Sequence, residues 1–573
     1  MMLGYCLVAQ SYAIDIQPEE TYTWQASHAS TEASHAMVVT ANPVATDVGY
    51  TVLKQGGNAI DAAIAIQLML NLVEPQSSGI GGGAFMLYWD ASTQKLTSYD
   101  GRSAAPMAAP PTYFLDAEGK PKPFWSIVSG GGSVAVPGVL RLLEMAYQEH
   151  GSLPWAHLFT PTIEKAKEGF ILSPRMAASI AAHADDSRQL DRFPAARDYF
   201  FTADGNPKPA GTLLTNPAFA HTLEMIAHHG VEAFYTGSFA KKIVEATQQP
   251  ADNRGLLTMD DLARYRAKKR PVVCSDYRAY QICGMGPPSS GGITVGQILG
   301  IMNQQPIPQA PDDIHTLHRY IESSKLAFAD RNQYIADSDF VMVPTKGLLD
   351  PNYMRDRSML IRDTSSMLQA EPGHPPGSLL TMQAPHNGPE LTGTTHFVIR
   401  DAYGNAVSMT SSIETGFGSR IMVGGFLLNN DLTDFSRQPS IEGKPVANRI
   451  EGGKRPRSSM APTIVMKAEQ PYILLGSPGG SRIIPYVAST LMEILDWGMD
   501  PQSAINTGHI VNLNGPTELE EHTNAVQFAA PLQALGHHTY NTNLNSGLHV
   551  IMIEPHRLIG AVDYRREGSA KGY

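Results

Sequence analysis

Apolar positions along this chain change period several times, and each change marks an expected element. Residues 37–40 are a short apolar run of strand length. Residues 46–55 follow a helical period that stops at Gly56 and Gly57, and a second helix is expected over 59–72 with Asn58 as its N-cap. That second segment is apolar almost all round, so it should be buried. A glycine run at 79–83 separates it from a strand over 84–89. Residues 140–260 carry helical periods with breaks such as His229-Gly230. Two strands around a turn fit 272–285, followed by the turn-rich stretch 286–292. A long helix is expected near 312–335, with Leu317, Ile321, Ser324 and Phe328 on one face. Residues 364–390 have little periodicity and much Pro, Gly and Ser, which reads as a flexible tether. Strands dominate after it, at 394–400, 406–411, 463–466, 471–475, 549–554 and 558–562, with a helix inserted near 481–497.

The strand at 394–400 opens with Thr394, Thr395 and His396, and Gly393 precedes it. A threonine at the head of a strand is ordinarily a β residue and nothing more. If the Gly393–Thr394 bond is cut, the new α-amine sits beside the Thr394 hydroxyl and can serve as its base. The chain would then be a precursor, and the tether would give slack at the bond.

Composition narrows the partners. The net charge of −11 and the pI near 5.9 come with no basic stripe, which argues against nucleic acid. No run of about 20 apolar residues exists, so membrane insertion is not expected. The apolar stretch 3–9 followed by Ser11-Tyr12-Ala13 resembles the remains of a secretory signal without its basic start. Export to the periplasm or beyond is the expectation; a cytoplasmic tail is the alternative. Cys274 and Cys283 flank a candidate hairpin and could pair in an oxidising compartment, but only geometry decides that.

Several segments could carry chemistry. Gly79-x-Gly81-x-x-Ala84 matches a dinucleotide fingerprint in letters only, because a helix precedes it and a strand follows. A tight loop admitting another backbone is preferred. Gly476 to Gly480 leads from a strand into a helix, where backbone N–H groups favour negative charge and suit an oxyanion. A plain turn is the simpler reading of that segment taken alone. Arg102 can hold a carboxylate, or make an ordinary surface salt bridge. Ser458 and Ser459 follow the basic cluster 454–457, which by itself reads as a solvated loop. The histidine pairs 228–229 and 537–538 look like helix ends or turns, and no metal-binding spacing is present, so neither a metal nor another cofactor is expected.

Taken in order, the blocks NPVAT at 42–46, GGNAIDAAIA at 56–65, EPQSSGIGGG at 74–83, PPSSGG at 287–292, TTHF at 394–397, LLNNDLTDFS at 427–436, KRPRSSMAPT at 454–463 and GSPGGSR at 476–482 closely resemble the γ-glutamyltranspeptidase (glutathione hydrolase) family. That family belongs to the N-terminal-nucleophile hydrolases. The resemblance implies an α+β fold, a four-layer αββα sandwich. It also implies a leader over 1–36, a large subunit over 37–393 whose end, 364–393, is the tether, and a small catalytic subunit over 394–573. Self-cleavage between Gly393 and Thr394 would leave the two as a heterodimer. Matched motif by motif, Thr394 is the expected nucleophile and Ser412 the hydroxyl that orients it. Gly479 and Gly480 supply oxyanion N–H groups. Arg102, Ser458 and Ser459 bind the donor α-carboxylate, Asp434 meets the α-ammonium, and Asp431 and Glu414 stand nearby. The substrates implied are γ-glutamyl amides such as glutathione, with water or an amino acid or peptide as acceptor.

The sequence also departs from the family pattern. Glu414 stands where well-studied members often have Asn, and Asp431 where Gln or Glu is usual. Residues 437–453 are short and hold no aromatic residue, where some bacterial members carry a tyrosine-bearing lid. Without a lid, hydrolysis should outrun transfer. The Ser411-Ser412-Ile413-Glu414 motif is similar to relatives described as cephalosporin acylases, which cleave glutaryl-like amides. A glutaryl group has no α-ammonium for Asp434, which favours γ-glutamyl substrates. A third possibility, an unprocessed binding protein, sits poorly with the complete set of candidate site residues.

Overall fold

The computed structural model describes residues 29–573 apart from 186, 305, 308–309, 379–382 and 387–392. The candidate signal, Cys6 and most of the leader therefore lie outside the described residues. Two seven-stranded antiparallel sheets face each other. The first runs in the order Ser569–Gly572, Met37–Thr40, Thr394–Arg400, Ala406–Ser412, Gly83–Asp90, Lys95–Gly101, Lys268–Arg270. The second runs Thr31–Ala33, Arg557–Val562, His549–Glu554, Gln470–Gly476, Thr463–Lys467, Tyr280–Gly284, Val273–Tyr277.

Strand alternation assigns the layers. Val398 joins Leu87, Ile464, Leu474 and Ile551 in the core between the sheets. Phe397 and Ile399 point the other way, into a core shared with the helix Ala59–Val73. On the far side, Val465, Ile473 and Leu475 pack on helices Gly291–Met302, Ile314–Tyr334 and Ile483–Trp497. Helix, sheet, sheet, helix is the expected four-layer order. Because Thr394 has the parity of Val398, its side chain belongs to the face between the sheets.

The helix expected from 46 begins earlier, as Pro43–Lys54. Asn42 caps it, its side-chain oxygen accepting the Val44 N–H at 3.0 Å, and Pro43 fits the first turn, where no donor is needed. Asn58 and Asp61 form a full capping box for Ala59–Val73, whose residues are all buried. Cys274 and Cys283 face each other in paired strands, 4.1 Å apart at Cα, and are joined as a disulfide. The start of the tether is held to the body. Glu322 accepts the Met367 N–H at 2.8 Å, Asn514 bonds the Ala370 backbone in both directions, and Asp330 accepts the Gly373 N–H at 2.8 Å. Among the described residues, no helix is long and apolar enough to cross a membrane.

Buried histidines give the fold an acid limit. Burial holds His183 and His549 down at about 3, and His396 and His509 well below the ordinary 6.5. The unfolded chain takes up these protons near pH 6.5 while the folded chain refuses them. Their contribution to stability is therefore complete above pH 6.5 and falls as the pH drops, by about 1.4 kcal/mol per pH unit for each histidine. Urea midpoints taken from pH 7 to pH 5 should decline more steeply than a single group allows. A flat profile over that range would show that these side chains are protonated in the fold.

Candidate active site

Thr394 lies directly opposite Ser412 in the strand pair, and Ser412 lies opposite Gly83 on its other side. The turn at 79–83 makes this possible. A Cβ on Gly82 would sit 2.1 Å from the Ser412 carbonyl oxygen, and one on Gly81 would sit 2.1 Å from that of Leu427. The glycine run thus lets backbones meet, with a helix before it and a strand after it, as a non-nucleotide loop should.

A hydroxyl relay surrounds the Gly393–Thr394 bond. The Thr394 hydroxyl donates to Ser412 Oγ at 3.3 Å, as does the Glu414 N–H at 2.8 Å. Ser412 in turn donates to the Gly393 carbonyl at 2.7 Å. Gly393 is needed here for close approach, since a Cβ would fall 2.1 Å from the Glu414 carbonyl oxygen. Glu414 turns the chain with φ +80° and its carboxylate accepts from Asn430 Nδ2 at 2.7 Å. Asn430 is locked by Thr415, whose N–H and hydroxyl both donate to its side-chain oxygen at 2.9 Å. Arg566 Nη1 donates to the Thr394 carbonyl at 3.2 Å, a contact sequence reasoning missed.

Arg102 follows directly on the strand Lys95–Gly101 and is buried, so the surface-salt-bridge reading fails. Its N–H donates to Asp100 at 2.8 Å and its carbonyl accepts from the Tyr265 hydroxyl at 2.7 Å. Its guanidinium pairs with Asp434 and, at 3.3 Å, with Asp431. Ser103 donates its hydroxyl to Asp431 as well. Burial raises the Asp431 carboxyl while Arg102 opposes that rise. The 454–460 segment is buried rather than solvated. Ser290 donates through both its N–H and its hydroxyl to the Ser458 carbonyl, at 2.7 and 2.8 Å. Arg331 then links Ser290 Oγ at 2.9 Å to Ser459 Oγ at 2.6 Å. Sequence reasoning missed Arg331; the only trace of it was a cation at the end of the long helix.

The strand Gln470–Gly476 leads through Gly479 (φ +135°) and the 3-10 turn Gly480–Arg482 into the helix Ile483–Trp497. These pieces converge. Thr394, Ser412 and Glu414 from one side, Arg102 and Asp434 from another, and Ser458, Ser459 and Gly480 from the third line a single recess. Asp431 and Gly479 are not in its lining: Asp431 backs Arg102, and Gly479 precedes Gly480 in the turn. Met460 and Ile483 complete the wall. The recess holds about 20 Å³, room for one water molecule.

His318, Glu322 and His537 also converge, away from these residues. Lys325 occupies the cluster, donating to Glu322 at 2.8 Å, Ser366 at 2.6 Å and the Met367 carbonyl at 2.7 Å. His318 and His537 bond each other at 2.7 Å, and His318 reaches the Arg362 carbonyl at 2.7 Å. With an ammonium in its midst, this donor set serves as a hydrogen-bonded clasp on residues 362–367.

Comparison with known proteins places the chain in a family. The family model described as Gamma-glutamyltranspeptidase matches residues 45–573. The glutathione hydrolase proenzyme of Bacillus subtilis is 38% identical over 549 residues, covering 94% of this chain and 91% of that protein. Its counterpart from Escherichia coli is 35% identical over 497 residues, covering 85% and 82%. Among solved structures, a cephalosporin acylase from Bacillus halodurans superposes with a TM-score of 0.84 at 28% identity, covering 97% of this chain and 98% of that one. On the family match across most of its length, the identity to these relatives and the four-layer sandwich, the chain belongs to the γ-glutamyltranspeptidase family of the N-terminal-nucleophile hydrolase superfamily.

Proposed function

We propose that this chain is a precursor that cuts itself between Gly393 and Thr394 and then hydrolyses γ-glutamyl amides, glutathione among them, through an acyl-enzyme on Thr394. In the first reaction the Thr394 hydroxyl attacks the Gly393 carbonyl. The C–N bond breaks to give an ester, and water opens the ester to free the Gly393 carboxylate and the Thr394 amine. The Ser412 hydroxyl, 2.7 Å from the Gly393 oxygen, stabilises the charge that develops there. In the second reaction the amine takes the hydroxyl proton and Thr394 attacks the γ-carbonyl. Gly479 and Gly480 N–H groups hold the oxyanion, the leaving amine carries away a proton, and water or an acceptor amine takes the acyl group.

The observation that carries this reading is the Arg102–Asp434 pair lining the same recess as Thr394. A neighbouring cation and anion match the zwitterionic end of a γ-glutamyl group, whose α-carboxylate and α-ammonium can each take over one member of the pair. Ser458 and Ser459 add hydroxyls for the carboxylate, Asp431 steadies Arg102 from behind, and Glu414 flanks the nucleophile. A recess of about 20 Å³ is too small for that substrate, which fits a chain still joined at Gly393. Glutaryl-amide hydrolysis is the second reading, favoured by the likeness to the acylase and by the Ser411-Ser412-Ile413-Glu414 motif. We also infer export: the leader's apolar stretch and the Cys274–Cys283 disulfide both suit an oxidising compartment.

Intact-mass analysis of the purified protein should give two chains meeting at Gly393–Thr394, and glutathione should be cleaved faster than a glutaryl amide. One uncut, inactive chain after prolonged incubation would sink the proposal. Ser412→Ala should slow the loss of precursor by about 10²-fold, the usual cost of one oxyanion donor. A gel time course reads it, and an unchanged rate removes Ser412 from the mechanism.

A further inference from the structure

A second cavity of about 250 Å³ lies away from the catalytic recess, between residues 311–320 on one side and 489–528 on the other. It falls just below the usual size of ligand pockets and lies between the two proposed subunits, a setting where such pockets form. Leu317, Met492, Trp497 and Phe528 give it apolar and aromatic walls. One carboxylate, Glu493, lines it in their midst, and a second, Asp312, lines it from an exposed position. No lysine or arginine lines it among the described residues.

We propose that this cavity binds a small organic ammonium with an apolar body, the ammonium on Glu493 and the body against Trp497 and Phe528. An amino acid fits less well, because its carboxylate would find no cation in the wall. The aromatic faces add attraction for the cation itself.

The groups around Glu493 support a vacancy for positive charge. Thr507 shares one hydrogen bond with it. Arg565 lies within electrostatic range, but its guanidinium is spent on Glu520 and, at 3.1 Å, on Asp563. From the facing helix, Tyr320 has its hydroxyl on the Pro485 carbonyl at 2.9 Å. His509 is kept neutral by burial and bonds Ser546 at 2.7 Å. Burial lifts the Glu493 carboxyl to about 8, so near neutrality it is mostly protonated and an arriving ammonium must ionise it. Binding should therefore release a proton and strengthen with pH, about tenfold per unit below pH 8.

The cavity and the catalytic recess share one helix. Ile483 lines the recess and Glu493 lines the cavity, on the same helix and ten residues apart, about 15 Å along its axis.

Isothermal titration of the full chain with 2-phenylethylamine tests this, with 2-phenylethanol as the uncharged control. One site is expected, with the alcohol at least about tenfold weaker and the affinity rising from pH 6 to pH 8. Glu493→Gln should abolish the preference for the amine, and Trp497→Ala should weaken both ligands. If Glu493→Gln fails to fold, buffer-dependent heats on the unaltered protein still report the released proton at pH 7. Equal binding of amine and alcohol, a flat pH profile, or no heat up to about 10 mM amine overturns the proposal. None of these readouts depends on self-cleavage or turnover, so the site stands or falls apart from the proposed reaction.

Discussion

Thr394→Ala should accumulate as one uncut chain, with γ-glutamyl amide hydrolysis lowered by about 10⁴-fold or more. The substitution removes the hydroxyl proposed as nucleophile in both reactions, and no neighbouring group can replace it. Ser412 Oγ is close, but it already donates to the Gly393 carbonyl and accepts from the Glu414 N–H. Thr394→Ser is the matching control. It keeps the hydroxyl and loses a methyl, so it should still cut itself, more slowly, and retain measurable turnover. Intact mass and a glutathione assay read both variants together. Two fragments from Thr394→Ala, or equal loss in the serine variant, would mean that the hydroxyl is not the attacking group.

Asp434→Ala should separate the two substrate readings. A hydrogen bond between a carboxylate and an ammonium contributes about 1.5–3 kcal/mol. Its loss lowers kcat/KM for a γ-glutamyl amide by about 10- to 200-fold. A glutaryl amide has no ammonium there and should change by less than about threefold. Its carboxylate could even gain, because Arg102 would have lost one of its charged partners. The substitution also breaks a buried ion pair, and that alone can cost several kcal/mol of stability. Melting temperature must therefore be followed alongside the rates, with Asp434→Asn holding the shape without the charge. Equal loss on both substrates at unchanged stability would leave Asp434 a structural partner of Arg102 and nothing more.

The strands and helices were legible because their periods are clean. Phe397 and Ile399 alternate with Val398 into different cores, and the helix Ala59–Val73 announced itself by being apolar throughout. The first helix was read three residues late because its start depends on Asn42 and Pro43, outside the apolar period. Candidate site residues came from motif likeness, and their local chemistry pointed elsewhere. Arg102 and the 454–457 cluster read as solvated because charged residues usually are; here Arg102, Arg455 and Lys454 pair with Asp434, Asp100 and Glu451, each remote or unremarkable in sequence. Arg331, Arg566 and the His318–His537 clasp were illegible for a related reason. Each gains meaning from a partner more than a hundred residues away, and no spacing rule reaches that far. The cysteine pair needed a register: only once Cys274 faces Cys283 does a bond between them follow.

The order of strands in the first sheet has a practical consequence. Ser569–Gly572 adds to one edge of Met37–Thr40, and Thr394–Arg400 adds to the other. Next comes Ala406–Ser412, which pairs with Gly83–Asp90. Pieces divided after Gly393 would thus be woven through one another, each of the later piece's three strands in this sheet hydrogen-bonded to a strand of the earlier piece. Separating them means unzipping a sheet, so an affinity tag on either fragment should carry its companion through any wash that leaves the protein folded. Mixing the two fragments, made apart, should not rebuild the enzyme, because neither has a complete sheet on which the other could assemble.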